Sequence, residues 1–83
     1  MTDIHRALAL LRSGDWEAAH GIVQEDDSVL ACWAHGIVHL MEGDEGNAGY
    51  WYRRAGRALP PASAARIDAE LDALGAALSG AQQ

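Results

Sequence analysis

LRSGDWEAAH, residues 11–20, and LMEGDEGNAG, residues 40–49, decide how this chain folds. Each carries Gly-Asp, three further residues and then Ala: Gly14-Asp15 to Ala19, and Gly43-Asp44 to Ala48. A helix that ends in a left-handed turn favours Gly there, because only Gly takes that backbone without a Cβ penalty. A helix that begins favours Asp, whose carboxylate accepts from the unpaired N–H groups of the first turn. Side by side, the two residues stop one helix and start the next with almost no loop, which makes a tight helical hairpin. Two such corners predict two hairpins.

Working outward from the first corner, Ile4, Leu8 and Leu11 recur at helical spacing with Ala7 beside them, and Thr2 stands where an N-cap belongs. The spacing predicts a helix over 3–13. A second helix follows over 15–25, with Trp16, Ala19 and Val23 facing inward and His20 at the edge. Asp26 or Asp27 caps a third, over 28–42. That segment is apolar almost all round: Leu30, Trp33, Ile37, Leu40 and Met41 lie on one side, with Val29, Cys32 and Val38 elsewhere, which marks a central buried helix. After the second corner, a helix over 44–56 has Asp44 and Glu45 at its start and Arg53, Arg54 and Arg57 at its end, both complementary to the helix dipole. Pro60-Pro61 ends that segment and is expected to start a fifth helix, over 61–79, with Ile67, Leu71, Leu74 and Leu78 as its apolar stripe. Gly80 closes it, and Ala81–Gln83 is expected to fray. The predicted fold is all-α: one domain over 1–83, a five-helix antiparallel bundle or short right-handed superhelix with a C-terminal amphipathic capping helix.

Composition narrows the function classes. A chain of 83 residues makes one domain, and at this size folding buries only about 60% of the unfolded surface. Three Trp supply bulk in a chain without Phe. The single cysteine, Cys32, has no partner for an internal disulfide and reads as a small core residue. The start has no basic segment followed by a long apolar one, and no apolar run approaches the roughly 18 residues of a membrane span, so a soluble cytoplasmic protein with no membrane contact is expected. The net charge is −6, which disfavours nucleic acid. The arginines of YWYRRAGR, residues 50–57, are explained by the end of a helix. There is no phosphate-binding Gly-rich loop, no CxxC and no G-x-S-x-G.

Two stripes of side chains stand out. His35 and His39 are four apart and share one helix face, Glu42 continues it, and His20 can approach from the preceding helix. Three imidazoles and a carboxylate suit zinc or a similar divalent metal. Equally, this is the one polar stripe on an apolar helix, and periodicity alone turns it toward solvent. HGIVH, residues 35–39, has Gly where the metalloprotease motif has Glu, so that chemistry is not supported. Asn47, Trp51 and Arg54 form the second stripe. With Trp33, Glu42 and the histidines they could line a pocket for a small polar or anionic ligand; alternatively Trp51 packs on the fifth helix with Asn47 and Arg54 at the rim. Gly21, Gly36, Gly46, Gly49 and Gly75, all inside helices, point to close helix approach.

Residues 32–60 resemble a tetratricopeptide repeat in Gly36, the Gly43-Asp44 corner, Ala48, Tyr52, Ala55 and the closing Pro60. Residues 4–26 resemble a second, degenerate copy, and the corners stand 29 residues apart against the usual 34. In this comparison His35 and His39 take positions usually held by Leu and a Tyr-like residue, on the packing side, which opposes the solvated reading. The pattern W-x-H-x3-H-x2-EGD-x2-NA-x2-WY-x-RAG, residues 33–56, also resembles a small family of uncharacterised bacterial proteins.

The tetratricopeptide resemblance implies a non-enzymatic module that binds a protein partner or a second copy of itself, with no cofactor. The surface expected for this is an apolar patch along Leu30, Trp33, Ile37 and Leu40, or a self-complementary face on the fifth helix. The alternative is a small ligand- or metal-binding protein, catalytic or not, centred on His20, His35, His39 and Glu42.

Overall fold

Five helices and no strands make up residues 2–80, the part of the chain that the computed structural model describes. They are α1 (Ile4–Arg12), α2 (Trp16–Val23), α3 (Val29–Glu42), α4 (Glu45–Arg54) and α5 (Ala64–Gly80). The expected fraying of Ala81–Gln83 lies outside the described residues. No described helix is long and apolar enough to cross a membrane.

Both Gly-Asp corners form for the reasons the sequence gives. Gly14 and Gly43 take φ of 88° and 92°. At each, the next two N–H groups turn back onto the finished helix: Gly14 N to Leu11 O and Asp15 N to Leu10 O, and Gly43 N to Leu40 O and Asp44 N to His39 O. Asp15 and Asp44 then accept from Ala18 N and Asn47 N at 3.1 and 3.2 Å, opening α2 and α4. A third closure of this type ends α4 at Arg54, two residues earlier than expected, because Gly56 takes φ 73° while Arg57 N returns to Tyr52 O.

Three helix starts differ from expectation. Asp3, not Thr2, caps α1 through Arg6 N. Ser28 caps α3 through Ala31 N, because the Asp26 carboxylate is taken by Ser28 N at 2.8 Å. Pro60-Pro61 stays outside α5, whose first turn is closed by Ser63: its hydroxyl accepts from Arg66 N and its carbonyl from Ile67 N. The Ser63 cap, two positions beyond Pro61, therefore sets the boundary instead of the prolines.

Helix α3 touches all four others, and residues 31–40 are buried without interruption. Gly36 is needed for this. A Cβ there would run into the Tyr52 ring of α4, so the glycine lets the two helices close. Gly21, by contrast, faces open space. Leu71, Leu74 and Leu78 bury the stripe of α5 on a helix that contacts α1 and α3, with Arg12–Asp72 paired at 3.1 Å along the α1 edge. The expected apolar patch is therefore not a surface: Trp33, Ile37 and Leu40 are all buried, and Leu30 is half-buried. The α5 stripe is likewise consumed inside the domain.

Candidate functional site: a three-histidine cluster

Helix α2 carries His20 at the start of its second turn, and the long α3 presents His35 and His39 one turn apart on the face that α2 covers. The three rings converge. His20 lies 4.7 Å from His35 and 5.4 Å from His39, both edge to face, and His35 and His39 stack at 5.0 Å. One ligating nitrogen from each ring lies within 4.8 Å of the others. The two histidines of the α3 stripe do not face solvent, being 3% and 7% exposed; His20 is half-buried, and Glu42 at the end of the stripe is exposed.

Each ring is held differently. His39 Nδ1 meets Glu42 Oε1 at 2.8 Å, one turn further along α3. A carboxylate on one imidazole nitrogen fixes the tautomer and leaves the other nitrogen free as a ligand. His35 lies flat against Trp51 of α4, with ring centres 3.8 Å apart and planes 10° from parallel. Behind Trp51 stands the Arg54 guanidinium, 5.0 Å from that ring and paired at 3.0 Å with Asp27 of the α2–α3 loop. His35 Nδ1 is the one fully buried side-chain nitrogen or oxygen without a hydrogen-bond partner among the described residues. Burial, then the neighbouring His20 and His39, then Arg54 lower the His35 pKa to about 4, so its ring is neutral at pH 7. That is the form a metal ion requires.

The remaining candidates divide. Glu42 joins the cluster, and Trp51 and Arg54 back it. Trp51 stacks on α3 rather than on α5, contrary to the packing alternative. Asn47 stays at the exposed start of α4, its amide on Asp44 Oδ2 at 3.4 Å. Trp33 turns to the other side of α3, where its Nε1 meets Glu70, so it does not join Asn47, Trp51 and Arg54, and no pocket opens among the described residues.

Sequence reasoning missed the partner that Trp33 does find. Trp33 Nε1 and the Tyr52 hydroxyl both donate to Glu70 Oε1 of α5, at 3.0 and 2.6 Å, and the Arg57 guanidinium lies 3.6 Å over the Trp33 ring. Burial first, and then the bond to Glu70, push the Tyr52 hydroxyl far above its usual pKa, so it remains a donor. The available signal was a glutamate immediately beside Leu71 on the apolar edge of an amphipathic helix.

Comparisons with family models, with curated proteins and with solved structures find no match for this chain. The tetratricopeptide likeness therefore rests on the residues quoted above.

Proposed function

We propose that this protein binds a divalent transition-metal ion of the zinc class through His20, His35 and His39. The observation that carries the reading is the convergence of three imidazoles, one ligating nitrogen of each within 4.8 Å of the others, in a cluster where His35 also has a buried nitrogen with no partner in the protein. Leaving such a group unsatisfied costs about 1–3 kcal/mol, a large fraction of the stability of a domain this small. A metal ion held by that nitrogen removes the cost. Zinc takes imidazole nitrogens at about 2.0–2.1 Å, which sets them roughly 3.3 Å apart. The rings need only close by small side-chain rotations, and half-buried His20 has the freedom to do so. Glu42 on His39 Nδ1 supplies the outer-shell carboxylate that metal-bound histidines commonly have.

In this reading the tetratricopeptide-like hairpins are the scaffold of a metal site rather than a surface for a protein partner or a second copy. The apolar residues that the interaction reading relied on are already used inside the domain. The test is calorimetric titration of Zn2+ into chelator-stripped protein. One ion per chain is expected, with thermal stabilisation equivalent to about 2.7 kcal/mol when free metal is a hundredfold above Kd. His35→Ala and His39→Ala should each abolish it. Absence of stoichiometric uptake by a folded wild-type chain would refute the proposal.

A further inference from the structure

The donor count of the cluster goes one step beyond the metal reading, on which this step rests. Three imidazoles are one ligand short of the four that zinc takes. The other donors near the cluster are engaged. Glu42 Oε1 is held on His39 Nδ1 at 2.8 Å. Asp44 caps α4, with Asn47 N on one oxygen and Asn47 Nδ2 on the other. Cys32, on the same helix as two of the histidines, directs its Sγ to Asp27 O at 3.7 Å, and burial raises its pKa away from the thiolate form. With Glu42 kept on His39, the fourth ligand comes from solution, which reaches the cluster beside half-buried His20 and beside exposed Glu42; the Glu42 carboxylate already occupies His39 Nδ1, so the His20 side is the open one.

Charge indicates what that ligand is. Three neutral imidazoles leave the ion its full double positive charge. Arg54 adds a guanidinium behind Trp51, near enough to act on His35. Glu42 and Asp27 offset part of this, each already bound to a donor.

We infer that the metal in this site keeps one coordination position open toward the His20 side, and that this position takes water or a small monodentate anion. Arrangements with three protein ligands and one exchangeable ligand are those in which zinc acts on other molecules, whereas four protein ligands make a structural site. The competing arrangement is a closed site in which Glu42 leaves His39 and becomes the fourth ligand, since its carboxylate lies within ligating reach of His39.

Cobalt(II) distinguishes them, because its visible absorption reports both the number and the type of ligands. The full chain is loaded with one equivalent of Co2+ and titrated with sodium azide. The expected result is a saturable, one-to-one shift of the visible bands, retained in Glu42→Gln although that variant binds Co2+ about tenfold more weakly. If Co2+ binds but azide leaves the wild-type spectrum unchanged, the open position is disproved while the metal reading stands. An azide response appearing only in Glu42→Gln would identify Glu42 as the closing ligand and overturn the inference in the same way. If Co2+ itself does not bind, the metal reading fails and the inference falls with it.

Discussion

Two polar groups are built into the apolar interior of this bundle, and they are treated in opposite ways. On one side of α3, Glu70 receives both the Trp33 indole N–H and the Tyr52 hydroxyl, with Arg57 over the indole. Every donor there has an acceptor. On the other side, His35 has a buried nitrogen with none, wedged between two more histidines and a tryptophan. The first arrangement is what a fold needs to tolerate polarity in its core. The second lowers the stability of the protein that carries it, and that is the physical signature of a group kept for something other than folding.

The comparison is broken most forcefully from the satisfied side. Glu70→Ala leaves two buried donors without an acceptor, and at about 1–3 kcal/mol for each the variant should lose about 3 kcal/mol in urea denaturation. A loss well under 1 kcal/mol would show that the Glu70 clamp is not the structural counterpart described.

The His35 side should respond to acid. In the metal-free protein its pKa lies near 4 when folded and near 6.5 when unfolded. The unfolded chain therefore binds more protons between those values, and stability falls as pH drops through this window. Its contribution is fully present above about pH 6.5 and is lost by about pH 4. At about 1.4 kcal/mol per unit the total is about 3 kcal/mol at most. Denaturant midpoints at successive pH values measure it, and the slope should be markedly reduced in a His35→Leu variant.

Two smaller effects sharpen the contrast. Glu42→Gln should weaken metal binding about tenfold, read by competition with a chromophoric chelator, while the metal-free fold stays within about 0.5 kcal/mol of wild type. His35→Leu should make the metal-free protein more stable by about 1 kcal/mol while abolishing metal uptake. That sign is the most informative of the set: a histidine needed for folding would destabilise on replacement.

Much of the fold was legible because it rests on local chemistry. Gly14-Asp15 and Gly43-Asp44 each satisfy the end of one helix and the start of the next, and such signals need no knowledge of the tertiary structure. Caps with competing acceptors were less legible. Asp26, Asp27 and Ser28 all qualify, and the choice of Ser28 follows from Asp26 being occupied by its backbone N–H. At the site, the spacing of His35 and His39 placed them on one face, but periodicity turned that face toward solvent, and the structure buries both rings instead. On a helix buried all round, the polar stripe marks no exit to solvent; α2 covers it. Trp51 and Glu70 lay beyond reach for a related reason. Trp51 sits against His35 because of how α4 crosses α3, and Glu70 meets Trp33 across 37 residues of sequence.

The short corners carry a consequence for what each of the two polar groups depends on. All three histidines lie between residues 20 and 39 and are gathered by two neighbouring helices, whereas Glu70 closes loops of 18 and 37 residues to reach its donors. Doubling a loop adds only about 0.6 kcal/mol of closure entropy, so the difference in cost is small. The difference in dependence is large. Helix α5 contacts α1 and α3 but contributes nothing to the histidine cluster. Loss of α5 would therefore remove Glu70 from Trp33 and Tyr52 without removing any side chain of the histidine cluster, so the two polar groups depend on different parts of the chain.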